Sequence, residues 1–183
     1  MSYEIAKNRA WENLAKITSL KTFSLRFLAD EYSIDLEKKS VMSLACNIPA
    51  KDFTAIIILH YLIEKIKGLA ALTGEWLTFR ELAGIEGYAE AFRKRAIEPI
   101  IRKYASNPEG IFSVLKRLPA KKADFSDASI IVEAFENVPV LIKVLKADEE
   151  FGPDANILFD KNITSIFCTE DIIVLAQIVA TSI

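Results

Sequence analysis

At 183 residues, 51% hydrophobic and 26% charged, the chain has the composition of an ordinary globular protein, long enough to bury about two thirds of its unfolded surface. One histidine and two distant cysteines remove most zinc and Ser-His-Asp chemistry, and none of the six glycines builds a phosphate-cradling loop. A net charge of −2 and a pI near 5.6 argue against a dedicated nucleic-acid binder, and no window approaches the ~20 apolar residues of a membrane helix.

In chain order, Ser2 is placed to cap a helix from Tyr3 to about Thr18, with Ile5, Trp11, Leu14 and Ala15 inward. Charged Glu4, Lys7 and Arg9 leave no apolar signal-peptide core, so a cytoplasmic address is expected. Three short strands follow, Ser24 to Phe27, Tyr32 to Leu36 and Val41 to Cys46, the last two split by a Glu37-Lys38-Lys39 turn, the alternative being that Leu20 to Asp30 stays helical. Phe53 to Ile66 is a strong helix with Gly68 as its stop. Thr73 to Phe79 is a loop running into an extended piece, and Arg80-Glu81-Leu82 begins a turn of helix.

Tyr88, Phe92, Ala96, Ile100 and Tyr104 recur every four residues along a helix that Pro99 is expected to kink or restart near Ile97. Asn107-Pro108-Glu109 starts the next helix, which runs to about Leu118. Ile130 to Phe135 and Val140 to Leu145 are antiparallel strands, and Ile157 to Phe159 and Ile163 to Phe167 are shorter ones around an Asp160-Lys161-Asn162 turn. Thr169 caps a final helix from Ile172 to about Ile183. The order specifies an α+β class over residues 1–183, with antiparallel sheet or sheets from N- and C-terminal strands and a central group of helices. One domain is expected, with a second small lobe as the alternative.

Several of these segments carry a resemblance. Gly74 to Leu82 (GEWLTFREL), Val138-Pro139-Val140, Asp148-Glu149-Glu150-Phe151, Ile157 to Asp160 and Thr169-Glu170-Asp171 are similar, in order, to landmarks of an uncharacterised prokaryotic family, domain of unknown function 3786, of anaerobic bacteria and archaea. His60-Tyr61-Leu62 resembles another landmark, and the likeness runs from about Trp11 onward. The resemblance brings no catalytic residue. It implies a place beside anaerobic redox or corrinoid metabolism, through relatives joined to iron–sulfur domains. This chain departs from those, because Cys46 and Cys168 cannot build a four-cysteine cluster site and are expected to be buried small hydrophobes.

The acidic loop is one candidate site. Asp148, Glu150, Asp154 and Asp160 are hard oxygen ligands for calcium or magnesium, or else the charged end of a hairpin that blunts a sheet edge. His60, in an apolar helical stripe with Glu64 one turn on, is either a hydrogen-bonded boundary residue or a base or axial ligand. Trp76 beside Arg80 either anchors its loop or walls a small-molecule pocket or partner surface. From Arg93 to Lys122 nine Lys/Arg face two Glu (+7), and from Asp124 to Asp160 nine Asp/Glu face two Lys (−7). These blocks are either solvated and mutually neutralising or a drive for homo-oligomers.

The expected function is a non-catalytic accessory domain that binds a protein partner or a small anionic ligand through His60, Trp76, Arg80 and Arg93. No cofactor is specified, and neither nucleic acid nor membrane is an expected partner. The alternative is a carboxylate-dependent metal-binding protein or enzyme built on the Asp148–Asp160 loop.

Overall fold

The computed structural model describes residues 3–183, so the capping role expected of Ser2 lies outside the described residues. The chain divides into two compact units, Met1–Ala70 and Ala71–Ile183. No helix among the described residues is long and apolar enough to cross a membrane.

In the first unit, α1 (Tyr3–Ile17) packs on α2 (Asp52–Lys67), and a Lys7–Asp52 ion pair of 2.6 Å joins them. Only three positions of α1 are buried, Ala10, Trp11 and Leu14; Ile5 and Ala15, expected inward, are exposed because the contact stripe is confined to the middle of the helix. α2 ends at Gly68, whose φ of 105° is costly for any residue with a Cβ. Between the helices, β1 (Thr22–Phe27), β2 (Asp30–Asp35), β3 (Ser40–Ser43) and β4 (Ile48–Pro49) pair in sequence order as an antiparallel sheet. Period-two alternation buries Leu25, Phe27, Ile34 and Val41.

The second unit holds a five-stranded antiparallel sheet in the order β5 (Trp76–Thr78), β9 (Asp154–Asp160), β8 (Val138–Leu145), β7 (Ala128–Phe135), β6 (Ala120–Ala123). One face is apolar across its three central strands: Phe159, Val140 and Val132 align, and Ile157, Ile142 and Ile130 beside them, all buried. α4 (Glu98–Tyr104) packs on β8 and β9, and a 3-10 segment, Pro108–Lys116, on β6 and β7. The antiparallel α+β class expected from the order of elements is the one found, and its strands form two sheets and not one.

The helix from Ala89 has three parts: α3 (Ala89–Phe92), a π-helical turn (Arg93–Ile97) and α4. The stripe explains the turn. Five residues spaced by four need about four residues per turn, whereas an α-helix at 3.6 rotates each successive one by about 40° away from the core. The wider π turn absorbs the surplus, so Phe92, Ala96, Ile100 and Tyr104 all stay buried. Pro99 then falls in the first turn of α4, directly after the π turn, and the helix is re-registered there and not ended.

Three local expectations are corrected. Ile163–Ile166 is a helical turn, α5, and not a strand: the Asp160 carboxylate accepts the Asn162 N–H, and the Ser165 and Phe167 amides bond back to Asn162 and Ile163. The last helix, α6 (Thr169–Ser182), starts two residues beyond Phe167, and Thr169 is its first residue and not its cap, since its hydroxyl donates to the Ala83 carbonyl at 3.0 Å. Cys46 and Cys168 are both exposed free thiols, because each sits at an element boundary, where its apolar sequence neighbours turn inward without it.

Candidate functional site

The chemistry-bearing residues of the second unit converge at one open edge of the sheet. β5 pairs with β9 only from Trp76↔Asp160 to Thr78↔Leu158. Beyond that point β9 runs on for Asp154 to Ile157 paired with β8 but with no strand on its β5 side. The Lys161 N–H donates to the Glu75 carbonyl, which sets the alternation and puts the N–H and C=O of Ala155 and Ile157 on this strand-free side.

Here a cleft of about 580 Å³ opens between β9, the turn after β5, and the helix with the π turn. Phe79, Phe92 and Ile97 supply its apolar wall, and Arg80, Glu90, Arg93 and Asp154 its charges. The Phe79 and Phe92 rings stack 4.1 Å apart and 5° from parallel, which locks the two walls together. The turn that carries Arg80 is closed by its neighbours: the Thr78 N–H and hydroxyl each donate to the Glu81 carboxylate at 2.7 Å, a capping box over Phe79–Glu81. Those bonds, the backbone one foremost, hold the Glu81 carboxyl below its ordinary range.

The charges differ in how they are used. Glu90 pairs with Lys94 at 2.8 Å along the helix, and Arg93 reaches Asp154 at a long 3.5 Å. Arg80 makes no ion pair or hydrogen bond among the described residues. An unneutralised guanidinium and a loosely held one beside stacked rings can receive a carboxylate or phosphate carried on an apolar group.

The expected binding set is thus partly assembled. Arg80 and Arg93 share the cleft with Asp154, which had been placed with the metal ligands. Trp76 is not among its walls. It sits half-buried on β5 opposite Asp160, edge-on to the Phe125 ring at 6.3 Å. His60 belongs to the other unit, half-buried on α2.

The acidic set is dispersed, and no group of three or more His, Cys, Asp or Glu among the described residues is gathered to hold a metal. Asp148 accepts the Glu150 and Phe151 amides at 2.9 and 2.7 Å, closing its own turn, and those bonds lower its carboxyl pKa. Asp160 is buried and accepts four hydrogen bonds, from the Thr73 N–H and hydroxyl, the Gly74 N–H and the Asn162 N–H, at 2.8 to 3.0 Å. Both carboxylates are occupied by the polypeptide. Sequence reasoning had assigned Phe92 to the buried stripe and passed over Phe79 and Glu90; the fourfold spacing of that stripe was the signal for the π turn that lines the cleft.

The profile of a family described as a domain of unknown function (DUF3786) matches residues 7–182, nearly the whole chain, and the protein belongs to that family. No curated protein and no solved structure matches it.

Proposed function

We propose that this DUF3786 domain is a non-catalytic binding module whose cleft between β9 and the π turn receives an anionic group attached to an apolar body. The observation that carries the reading is Arg80, unpaired among the described residues and carried on the turn that the Thr78–Glu81 capping box closes, beside the stacked Phe79 and Phe92. Arg80 and Arg93 supply forked donors for a carboxylate or phosphate, and the apolar body leaves water over a floor whose Phe79, Phe92 and Ile97 are themselves only 4 to 6% accessible. The π turn adds support, since such turns recur at binding sites. Two free thiols and no disulfide favour a reducing, cytoplasmic setting for an accessory role.

Thermal unfolding with inorganic phosphate and with benzoate, in wild type and in Arg80→Ala and Arg93→Ala, tests this. A ligand held only by the folded state raises the midpoint with concentration. Benzoate should raise it in wild type and not in Arg80→Ala. A wild-type midpoint indifferent to both anions, or an equal rise in both variants, overturns the reading.

A further inference from the structure

Beside the cleft, the segment before β9 presents the most exposed large hydrophobic side chain of the described residues, Phe151, 70% accessible. Its display is built in. The Asp148 N–H donates to the Phe151 carbonyl at 2.9 Å, while the Asp148 carboxylate accepts the Glu150 and Phe151 amides. The turn is thereby closed, with Glu149, Glu150 and Phe151 all turned to solvent. Among the described residues neither glutamate side chain has an ion-pair or hydrogen-bonding partner. An aromatic ring flanked by two unpaired carboxylates is complementary to a wall of Phe79, Phe92 and Ile97 flanked by Arg80 and Arg93. The ring does not enter its own cleft, whose β9 wall begins at Asp154, just past Gly152-Pro153.

We infer that the occupant of the cleft is the Asp148–Phe151 turn of a second copy of this chain, with each copy's turn entering the other's cleft about a two-fold axis. The inference rests on the anion-binding reading above and names the partner of that same site. Turn and cleft lie at the same end of the unit, joined through Asp154, so one rotation brings both contacts together and the assembly closes at two copies. A turn already ordered in the free chain loses little freedom on docking. The carboxylates of Glu149 and Glu150 pair with Arg80 and Arg93, and Phe151 lies on the aromatic wall as the central anchor.

Sedimentation velocity on the full chain across protein and salt concentration tests this. Wild type should form a dimer that weakens as salt rises. Phe151→Ala, at an exposed position, should leave folding intact and weaken the dimer by at least about tenfold. Arg80→Glu and Glu150→Arg should each impair dimerisation alone. An equimolar mixture of the two should recover it, because in the mixed dimer both turns again meet clefts of opposite charge. A strictly monomeric wild type at about 100 µM, a dimer indifferent to Phe151→Ala, or a mixture no better than its components overturns the inference. A monomer whose midpoint still rises with benzoate through Arg80 leaves the anion-binding reading intact while removing this one.

Discussion

The Asp160 carboxylate holds Thr73 by both its N–H and its hydroxyl, at 3.0 and 2.9 Å, across 87 positions of sequence. Through this contact the end of β9 organises the loop that feeds β5, and so the front wall of the cleft. Burial alone would raise the Asp160 pKa, but the bonds from Asn162, Thr73 and Gly74 outweigh it and hold the carboxyl below its ordinary 3.8.

Asp160→Asn keeps the shape and removes the charged acceptor that four donors share. A loss of about 3 kcal/mol is expected at pH 7 in urea unfolding. Because the folded-state pKa is depressed, the stability that this carboxylate contributes is present above 3.8 and fades as pH falls through the lower, folded value. The wild-type and Asn curves should therefore converge only at strongly acid pH; a constant gap would show that charge is not what matters at this position.

Tyr104 lies buried at the end of α4 with its hydroxyl unpartnered, and burial raises its pKa. Tyr104→Phe removes a desolvated hydroxyl and keeps the ring under Lys103, whose ammonium sits 5.3 Å from the ring centroid. The variant should be more stable than wild type by about 1 kcal/mol in chemical denaturation. A destabilised variant would mean that the hydroxyl has a partner in solution.

The β7–β8 hairpin turns through Glu136 and Asn137, with Asn137 at φ 58° and its carbonyl accepting the Asn162 side-chain amide at 3.1 Å. Asn137→Gly should change stability by less than about 0.5 kcal/mol, while Asn137→Val, which a left-handed backbone strains, should cost about 2 kcal/mol. Equal melting of the two variants would argue against a left-handed turn.

Cys168 is exposed as a residue, yet desolvation of its thiol, reinforced by the neighbouring Asp171 carboxylate, pushes it from an ordinary 9.0 up to about 12. In a Cys46→Ser variant, iodoacetamide should label the native protein far more slowly at pH 8.5 than the urea-unfolded chain, since only the thiolate reacts. The folded pKa is raised, so the associated stability is complete below 9.0 and is lost as pH climbs through about 12. Native labelling as fast as unfolded labelling would contradict this.

Much of the fold was legible because hydrophobic spacing is a strong local signal. Ile130 to Phe135 and Val140 to Leu145 are so dense in β-branched residues that both strands stand out, and Gly68 marked the end of α2. The edge strand Ala120–Ala123 escaped because Ala-Lys-Lys-Ala has little strand propensity and owes its conformation to pairing with β7. Ile163 to Phe167 misled for the opposite reason: its apolar residues suit a strand, but side-chain bonding around Asp160 and Asn162 starts a helix there. At the site, Arg80 and Arg93 could be named from chemistry. Their meeting with Asp154 depends on long-range pairing of β5 with β9, which no local pattern encodes.

The same pairing bears on how the molecule folds. β6 to β9 each meet the next strand in sequence, so they can zip up as a meander with short loop closures, whereas Trp76 must find Asp160 across more than eighty residues. The three-residue β5 is therefore expected to dock last and detach first, with its amides the earliest of the sheet to exchange with deuterated solvent.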